Sequence, residues 1–167
     1  MRIDVNTFVG AYPFRRVPGT STEALLQAME RVSVDEAWVS HLPSIFWRDP
    51  AAGNSWLYQT AERHARFRPV PAVHPGLAGW ETSVREARDR GASALRCDPT
   101  YYGLDPSGVE MRSLAQACAA EQMPLLMAVR LEDARLAGAG RFDRGRIFIM
   151  IFRGDYWQCG FVIPKGG

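Results

Sequence analysis

Polar side chains of a few chemical types stand where strand-like segments of the chain end. They are carboxylates, imidazoles, guanidiniums and one amide: Asp4, Asn6, His41, His74, Arg96, Asp98 and Arg130. An imidazole or a carboxylate can accept a proton from a reacting group, whereas a guanidinium can bind a carboxylate or stabilise a developing negative charge. The pattern therefore predicts two catalytic groups, His74 and Asp98. The predicted substrate-binding side chains are Asn6, His41, Arg96 and Arg130.

Each of these side chains also has a structural interpretation. His41 and His74 stand in H-L-P and H-P segments, where an imidazole can hydrogen-bond a loop carbonyl. Arg96 and Asp98 are two residues apart, so they share one face of a strand and can form an ion pair there. Both interpretations stay open at this point. As a group, the side chains indicate a polar site for an anionic or carbonyl-bearing small molecule.

Several common catalytic motifs are not found in the sequence. The first strand-like segment is followed by V-G-A-Y-P rather than G-x-G-x-x-G, and there is no P-loop, H-E-x-x-H or G-x-S-x-G. Three cysteines, Cys97, Cys118 and Cys159, lack C-x-x-C spacing, which argues against a zinc ribbon and against a secreted disulfide framework. The opening M-R-I-D-V does not have the pattern of a signal peptide. We therefore expect a cytoplasmic protein with reduced thiols.

The elements that must position these side chains alternate along the chain. Five strand-like segments begin near residues 2, 35, 68, 92 and 123. Four helical segments lie between them, at about residues 20–32, 50–66, 80–90 and 108–122. Strict alternation predicts parallel strands joined by right-handed crossovers.

Turn chemistry marks the ends of these helices. Thr20 and Glu23 have the spacing of a capping box, so they predict the start of the first helix. Pro50 fits the first position of the second helix, and Gly91 fits the end of the third.

Parallel strands in this order fit either an open doubly wound sheet or a (β/α) barrel, and in both the ligand lies at the carboxyl ends of the strands. An eight-unit barrel needs about 250 residues. The chain has 167 residues and five units. The predicted fold class is α/β, a partial (β/α) TIM barrel of about five units with a C-terminal β-hairpin-like tail.

Composition divides the chain near residue 135. The formal net charge is +2, which is too small for a nucleic-acid binder, but residues 135–167 carry +4 and residues 1–134 carry −2. The last 33 residues also hold four of the six Ile, seven of the 15 Gly and the only Lys. We predict a barrel portion over residues 1–134 and an atypical basic tail over residues 135–167, with non-native or frameshifted sequence as one interpretation of the tail.

The tail contains two β-rich runs, residues 146–153 and 156–164, joined by Gly154 and Asp155. Such a joint predicts a two-residue hairpin. The Gly-rich residues 135–145 lack helical periodicity, so no crossover helix is predicted after the fifth strand. Open edges at the first and fifth strands leave three hypotheses: a fragment, a half barrel completed by dimerisation, or a sheet finished by the hairpin.

A resemblance to a known family rests on three segments. The first strand, I-D-V-N-T-F-V-G at residues 3–10, resembles the I-D-x-H-x-H strand of the amidohydrolase-related family of metal-dependent barrels. The segments at residues 91–103 and 123–130 are similar to the fourth and fifth units of that family. The resemblance covers about residues 1–134, so it implies a truncated barrel.

The family's first-strand histidines bind zinc or another divalent metal, and here Asn6 and Phe8 stand in their places. Since a catalytic zinc needs about three protein ligands, we expect no metal ligands and no bound cofactor in this chain. The resemblance implies a hydrolase acting on a small carbonyl or carboxylate compound, with metal-free chemistry or with none. The alternative is a non-catalytic relative that binds a small molecule or forms oligomers. We expect a small-molecule substrate and a homo-oligomer through open sheet edges, with no nucleic-acid or membrane partner.

Overall fold

The structure, a computed structural model, describes residues 1–130, 147–153 and 156–161. For the described residues from 129 onward, the structure gives the course of the backbone alone. Its strands are β1 Ile3–Val9, β2 Glu36–His41, β3 Phe67–Pro69, β4 Leu95–Cys97, β5 Leu125–Arg130, β6 Ile147–Arg153 and β7 Tyr156–Phe161. Its α-helices are α1 Thr22–Arg31, α2 Ala51–Arg63, α3 Trp80–Asp89, α4 Pro99–Tyr102 and α5 Val109–Ala120, and a 3₁₀ turn spans Leu42–Phe46.

The first five strands are parallel and follow chain order, so the predicted α/β class with parallel strands is confirmed. β1, β2 and β3 form one sheet, and β4 pairs in parallel with β5 in the other. A single parallel bridge between Ala72 and Arg96 joins the two sheets. There the Val73 amide donates to the Arg96 carbonyl at 2.8 Å, and the Arg96 amide donates to the Pro71 carbonyl at 2.9 Å.

Apolar side chains of alternate strand residues pack beneath the helices, as strand geometry requires. Under α1 and α2 the core contains Val9, Met29, Val34, Ala37, Val39, Leu57 and Phe67. Under α3 and α5 it contains Val73, Val84, Ala87, Leu95, Cys97, Met111, Leu114, Cys118, Met123, Leu125 and Met127. The opposite parity of the same strands forms a second face, called here the inner face. Its buried apolar cluster is small, with Val70, Ala94 and Leu126 against Trp38.

The helix ends differ from the prediction in three places. Pro50 is the N-cap of α2 rather than its first residue, since the helix begins at Ala51. Ser21, not Thr20, is the N-cap of α1, because the Ser21 hydroxyl accepts from the Ala24 amide at 3.2 Å. α2 ends at Arg63 rather than Arg66, since His64 is already extended and the chain must enter β3 three residues later. The 3₁₀ turn and α4 interrupt the simple alternation, and neither was expected.

The C-terminal strands continue the second sheet in antiparallel pairing. β6 pairs with β5 over six residues, from Leu125 with Phe152 to Arg130 with Ile147. β7 pairs with β6 in turn, so the two predicted β-rich runs are neighbours in one hairpin-like arrangement. The predicted Gly154 and Asp155 turn and the predicted lack of a helix over residues 135–145 lie outside the described residues. Among the helices that the structure does describe, none has both the length and the hydropathy needed to cross a membrane.

Candidate functional site

Arg96 lies in the middle of β4 on the inner face, with 1% of its surface exposed. Its Nε donates to the Ser40 hydroxyl at 2.8 Å and its Nη2 donates to the Asn6 Oδ1 at 2.9 Å. Ser40 donates onward to the Val70 carbonyl at 2.8 Å. The guanidinium is thus held by side chains from β1 and β2, and its orientation is set by two strands other than its own.

The Phe8 ring provides a further contact for the same guanidinium. The Arg96 Cζ lies 4.4 Å from the ring centroid, a cation–π distance. Phe8 and Asn6 are two residues apart on β1, so both reach the inner face. Burial lowers the pKa of Arg96 and the negative charge of Asp98 opposes that shift, but a guanidinium stays protonated in proteins.

Asp98 follows β4 and lies at the N-cap of α4, with 2% of its surface exposed. Its carboxylate makes no capping bond, and its Oδ2 is buried without a hydrogen-bond partner among the described residues. Burial raises the pKa of Asp98, and the nearby Arg96 charge only partly offsets this. A buried polar atom left unpaired costs about 1–3 kcal/mol, so the position calls for an explanation.

Tyr102 lies within the electrostatic influence of the Asp98 charge, and its ring stacks on His74. The two rings are 4.3 Å apart at an angle of 16°, and the Tyr102 Oη is also buried without a partner in the described part of the chain. The His74 Nδ1 accepts from the Gly76 amide at 3.1 Å, so the neutral ring carries its proton on Nε2. Desolvation lowers the pKa of His74 and favours that neutral form.

His41 lies in a separate, tightly packed setting. Its Nδ1 hydrogen-bonds the Ser44 Oγ at 2.8 Å, and its ring lies against Trp47 and Trp56 with centroids 5.2 and 4.8 Å away. Desolvation lowers the pKa of His41 to about 4, so the ring is neutral near pH 7. A neutral, partnered imidazole of this kind fits a positioning role.

Glycines on two elements allow this close packing. A Cβ on Gly53 in α2 would lie 1.8 Å from the Ser44 Oγ and 2.5 Å from the His41 Nδ1. A Cβ on Gly10 would lie 2.7 Å from the Pro43 Cδ and 3.0 Å from the His41 Cδ2, and Gly10 also has a φ of +106°. The first two βα connections can therefore approach His41 only because both positions lack side chains.

Four aromatic rings meet edge to face above these strand ends, and we call them the aromatic rim: Tyr12, Phe14, Phe46 and Tyr101. Neighbouring centroids are 5.0 to 5.5 Å apart. Phe14 is 70% exposed and Tyr101 is 61% exposed. The rim links the connections that follow β1, β2 and β4.

The structure brings together some of the predicted site residues. Asn6 and Arg96 are in direct contact, Asp98 acts on Arg96 through its charge, and His74 reaches the group through Tyr102. His41 is packed elsewhere, as described above. Arg130 ends β5, and its side chain lies outside the described part of the structure.

Three further residues belong to this group and were not predicted from the sequence: Ser40, Phe8 and Tyr102. Ser40 had a detectable signal, since it is the polar residue of inner-face parity nearest the carboxyl end of E-A-W-V-S-H. Phe8 stands in the place of a metal-binding histidine of the similar family, and no role was predicted for its ring. Tyr102 had no comparable signal, because its contact with Asp98 depends on the short helix α4.

A divalent metal ion, which the family resemblance implies at the end of β1, does not fit the residues found there. The Asn6 Oδ1 already accepts a hydrogen bond from Arg96, and the Phe8 ring offers no ligand atom. A buried guanidinium would also repel a dication. Within the described residues, no three His, Cys, Asp or Glu side chains are grouped so as to hold a metal.

No protein-family model matches the chain, and no curated protein matches it in sequence. Among solved structures it is similar to an amidohydrolase II, with a TM-score of 0.64, 17% identity, and coverage of 80% of this chain and 52% of that one. It is also similar to 5-carboxyvanillate decarboxylase from Sphingomonas paucimobilis, with a TM-score of 0.65, 14% identity and coverage of 84% and 55%. For 2,6-dihydroxybenzoate decarboxylase the values are 0.60, 16%, 83% and 53%.

These similarities show an amidohydrolase-like fold. The identities are low, so the likeness is one of fold alone. The chain spans about half the length of the solved structures that it matches.

Proposed function

We propose that this chain is part of an amidohydrolase-like barrel enzyme that acts on a small carbonyl or carboxylate compound at the inner face. The five β/α units would supply part of a barrel whose remaining strands come from further chain or from a second copy. This proposal keeps the interpretation of residues 1–134 as barrel and of residues 135–167 as an atypical tail.

The observation that supports this function is the burial of Arg96 and Asp98 together at the end of β4. Arg96 is satisfied by Asn6 and Ser40, whereas the Asp98 Oδ2 has no partner among the described residues. A purely structural pair would be expected to satisfy both groups, because unpaired buried charge is costly. A buried carboxylate oxygen without a hydrogen-bond partner, next to a fixed cation, is instead typical of a ligand-binding site.

The geometry suggests a division of roles. Asp98 would take a proton from the attacking water or the substrate, and Arg96 would bind the substrate carboxylate or the negative charge that develops on its carbonyl oxygen. His74 was predicted as a base, but with Nδ1 occupied by the Gly76 amide its neutral ring presents an N–H donor instead. In this scheme His74 orients the substrate and Asp98 is the base.

A second candidate function is binding without chemistry. Two of the predicted site groups are already paired inside the protein, since Asn6 accepts from Arg96 and His41 is bonded to Ser44. A site with so few free groups fits a non-catalytic relative that retains a carboxylate-binding pocket. The expected partner in both cases is a small molecule, and self-association through sheet edges is part of the proposal.

The test is turnover of a panel of small esters, lactones, amides and aromatic carboxylates by the 167-residue chain. We expect activity on at least one compound class, and Asp98→Asn should lower kcat by about 10²-fold or more, as removal of a general base does. Asp89→Asn is the matched control, because Asp89 is an exposed carboxylate at the end of α3. Carboxylate binding without turnover would favour the second candidate, and neither binding nor turnover would refute both.

A further inference from the structure

We propose that the Arg96 guanidinium takes the place of a metal ion in this site and binds the ligand's carboxylate directly, with no divalent cation involved. This inference rests on the proposed function, because it presupposes a carboxylate ligand. It goes further in naming the anchoring group and in separating this chain from metal-dependent barrels of the same fold.

The Arg96 side chain is held in place by the protein itself, without a ligand. Its hydrogen bonds to Ser40 and Asn6 join β4 to β2 and β1, and the Phe8 ring supports the flat face of the guanidinium at 4.4 Å. A side chain restrained in this way loses little further rotamer freedom when it binds a ligand. It therefore resembles a fixed cation more than a mobile surface arginine.

The Arg96 guanidinium has more N–H donors than its described protein partners use. A guanidinium has five N–H groups in a planar fork, and only Nε and Nη2 are used in hydrogen bonds to described side chains. The fork matches the two oxygens of a carboxylate, and pairs of this kind are strong when water is excluded. Arg96 therefore retains donors for the ligand group that we propose.

The positive charge of Arg96 is buried beside neutral hydrogen-bond acceptors. Arg96 is buried with 1% exposure, and its hydrogen-bond acceptors in the described residues, Ser40 and Asn6, are neutral. Asp98 is the nearby acid, but its Oδ2 is buried without a hydrogen-bond partner among the described residues, so this oxygen makes no hydrogen bond to Arg96. A buried cation with neutral acceptors is best compensated by an anion from outside.

A divalent metal ion and the Arg96 guanidinium would compete for the same place at the end of β1. A divalent ion at the end of β1 would have to compete with Arg96 for the Asn6 oxygen, and it would face the Phe8 ring and a buried positive charge. The residues that would hold a metal are thus the residues that hold the guanidinium. One cation excludes the other.

The experiment measures benzoate binding to the full chain by calorimetry, with benzamide as the uncharged analogue of the same shape. Benzoate carries a single carboxylate on a rigid ring, so its binding reports on the carboxylate contact. We expect benzoate to bind, benzamide to bind at least tenfold more weakly, and EDTA or added Zn²⁺ to leave benzoate affinity unchanged. Arg96→Lys should weaken benzoate binding about tenfold or more, and Arg96→Met should abolish it.

Arg85→Met is the matched control, because it removes the same charge from an exposed position on α3. Because Arg96→Met can fail to fold, a second measurement is made on the wild-type chain, where loss of folding cannot explain the result. In an NMR titration, one slowly exchanging arginine Nε–H resonance, absent from Arg96→Lys, should shift with benzoate and should not shift with Zn²⁺.

The outcomes separate this inference from the proposed function. If benzoate binds only when Zn²⁺ is present, or binds Arg96→Met as well as wild type, the guanidinium is not the anchor, while the carboxylate function stands. If benzoate moves no arginine Nε–H resonance, the inference is equally wrong. If the wild-type chain binds neither benzoate nor any other carboxylate of the panel, both proposals fail.

Discussion

At the scale of single residues, His41 combines partial burial, a hydrogen bond to Ser44 and contact with two indole rings. Its environment removes water from the imidazole without placing an acidic group against it, so the charged form is disfavoured. The folded protein therefore keeps His41 neutral well below the pH at which a free histidine becomes charged.

We predict that His41 makes folding stability depend on pH between about 4 and 6.5. Its pKa is about 4 in the folded state against about 6.5 for a free imidazole, so the unfolded chain binds more protons in that window. Stability from this group is fully present above pH 6.5 and is lost as the pH falls towards 4. Urea unfolding at a series of pH values measures the slope.

His41→Phe keeps an aromatic ring between Trp47 and Trp56, and it should flatten the slope in that window. His64→Gln, at the end of α2, serves as the control, because the contribution of His41 is intact in it. An unchanged slope in His41→Phe would show that the imidazole is not kept neutral by the fold. Direct NMR titration of the ring gives an independent value.

The residue types of the candidate site could be predicted from sequence better than their contacts. Parity along β1 and β4 placed Asn6 and Arg96 on one face, and the structure joins them by a hydrogen bond. The role of Ser40 as a bridge could not be predicted, because it depends on which strands are neighbours at one level of the sheet. Whether His74 and Asp98 are catalytic remains a prediction.

At the scale of elements, α2 packs against the 3₁₀ turn through a glycine. Gly53 lies in the third position of α2 and is buried. A glycine in a helix usually costs stability relative to alanine, by about 1 kcal/mol. Its presence here is explained by the space that the Ser44 and His41 side chains occupy.

We predict that Gly53→Ala destabilises the protein by about 1–3 kcal/mol, the usual cost of overpacking. The new Cβ would lie 1.8 Å from the Ser44 Oγ, so the 3₁₀ turn or the helix must move. Ser55→Ala on the exposed side of the same helix is the control, with a change of about 0.5 kcal/mol or less. A stabilised Gly53→Ala protein, measured by urea unfolding, would mean that α2 and the turn are not in contact as described.

Long elements with clear periodicity were predictable, and short ones were not. The parallel strands β1, β2 and β5 and the helices α1, α3 and α5 lie close to their expected places because each has six or more residues, long enough for an alternating, helical or continuous apolar pattern to be visible in the sequence. The 3₁₀ turn and α4 have five and four residues, too few for a period to be visible. Both follow strand ends and begin with a proline near the first position, which is the only local signal they have.

At the scale of the whole molecule, β6 covers the edge of β5 that would otherwise be open. The antiparallel pairing extends over six residue pairs, along the whole of β5. Unpaired strand edges promote association with other chains. The C-terminal strands therefore protect the parallel sheet on one side, whatever the origin of the tail sequence.

We predict that a chain ending at residue 130 self-associates and loses cooperative melting. Removal of β6 exposes the β5 edge, while the β1 edge is unchanged. Gel filtration with light scattering, at matched concentration against the full chain, measures the association. A monomeric shortened chain with an unchanged Tm would show that β6 and β7 contribute no protection.

The inner face has a consequence for how the protein folds. The Arg96 to Asn6 hydrogen bond joins residues that are 90 positions apart, and the Arg96 to Ser40 bond joins residues 56 apart. Contacts at such separations form only after the intervening chain has been ordered, because closing long loops costs entropy before any contact repays it. The local β/α units can therefore appear early while the guanidinium still lacks its partners. We therefore expect the guanidinium to reach its final geometry late in folding, so a ligand bound by Arg96 in the proposed way would distinguish native chains from late intermediates.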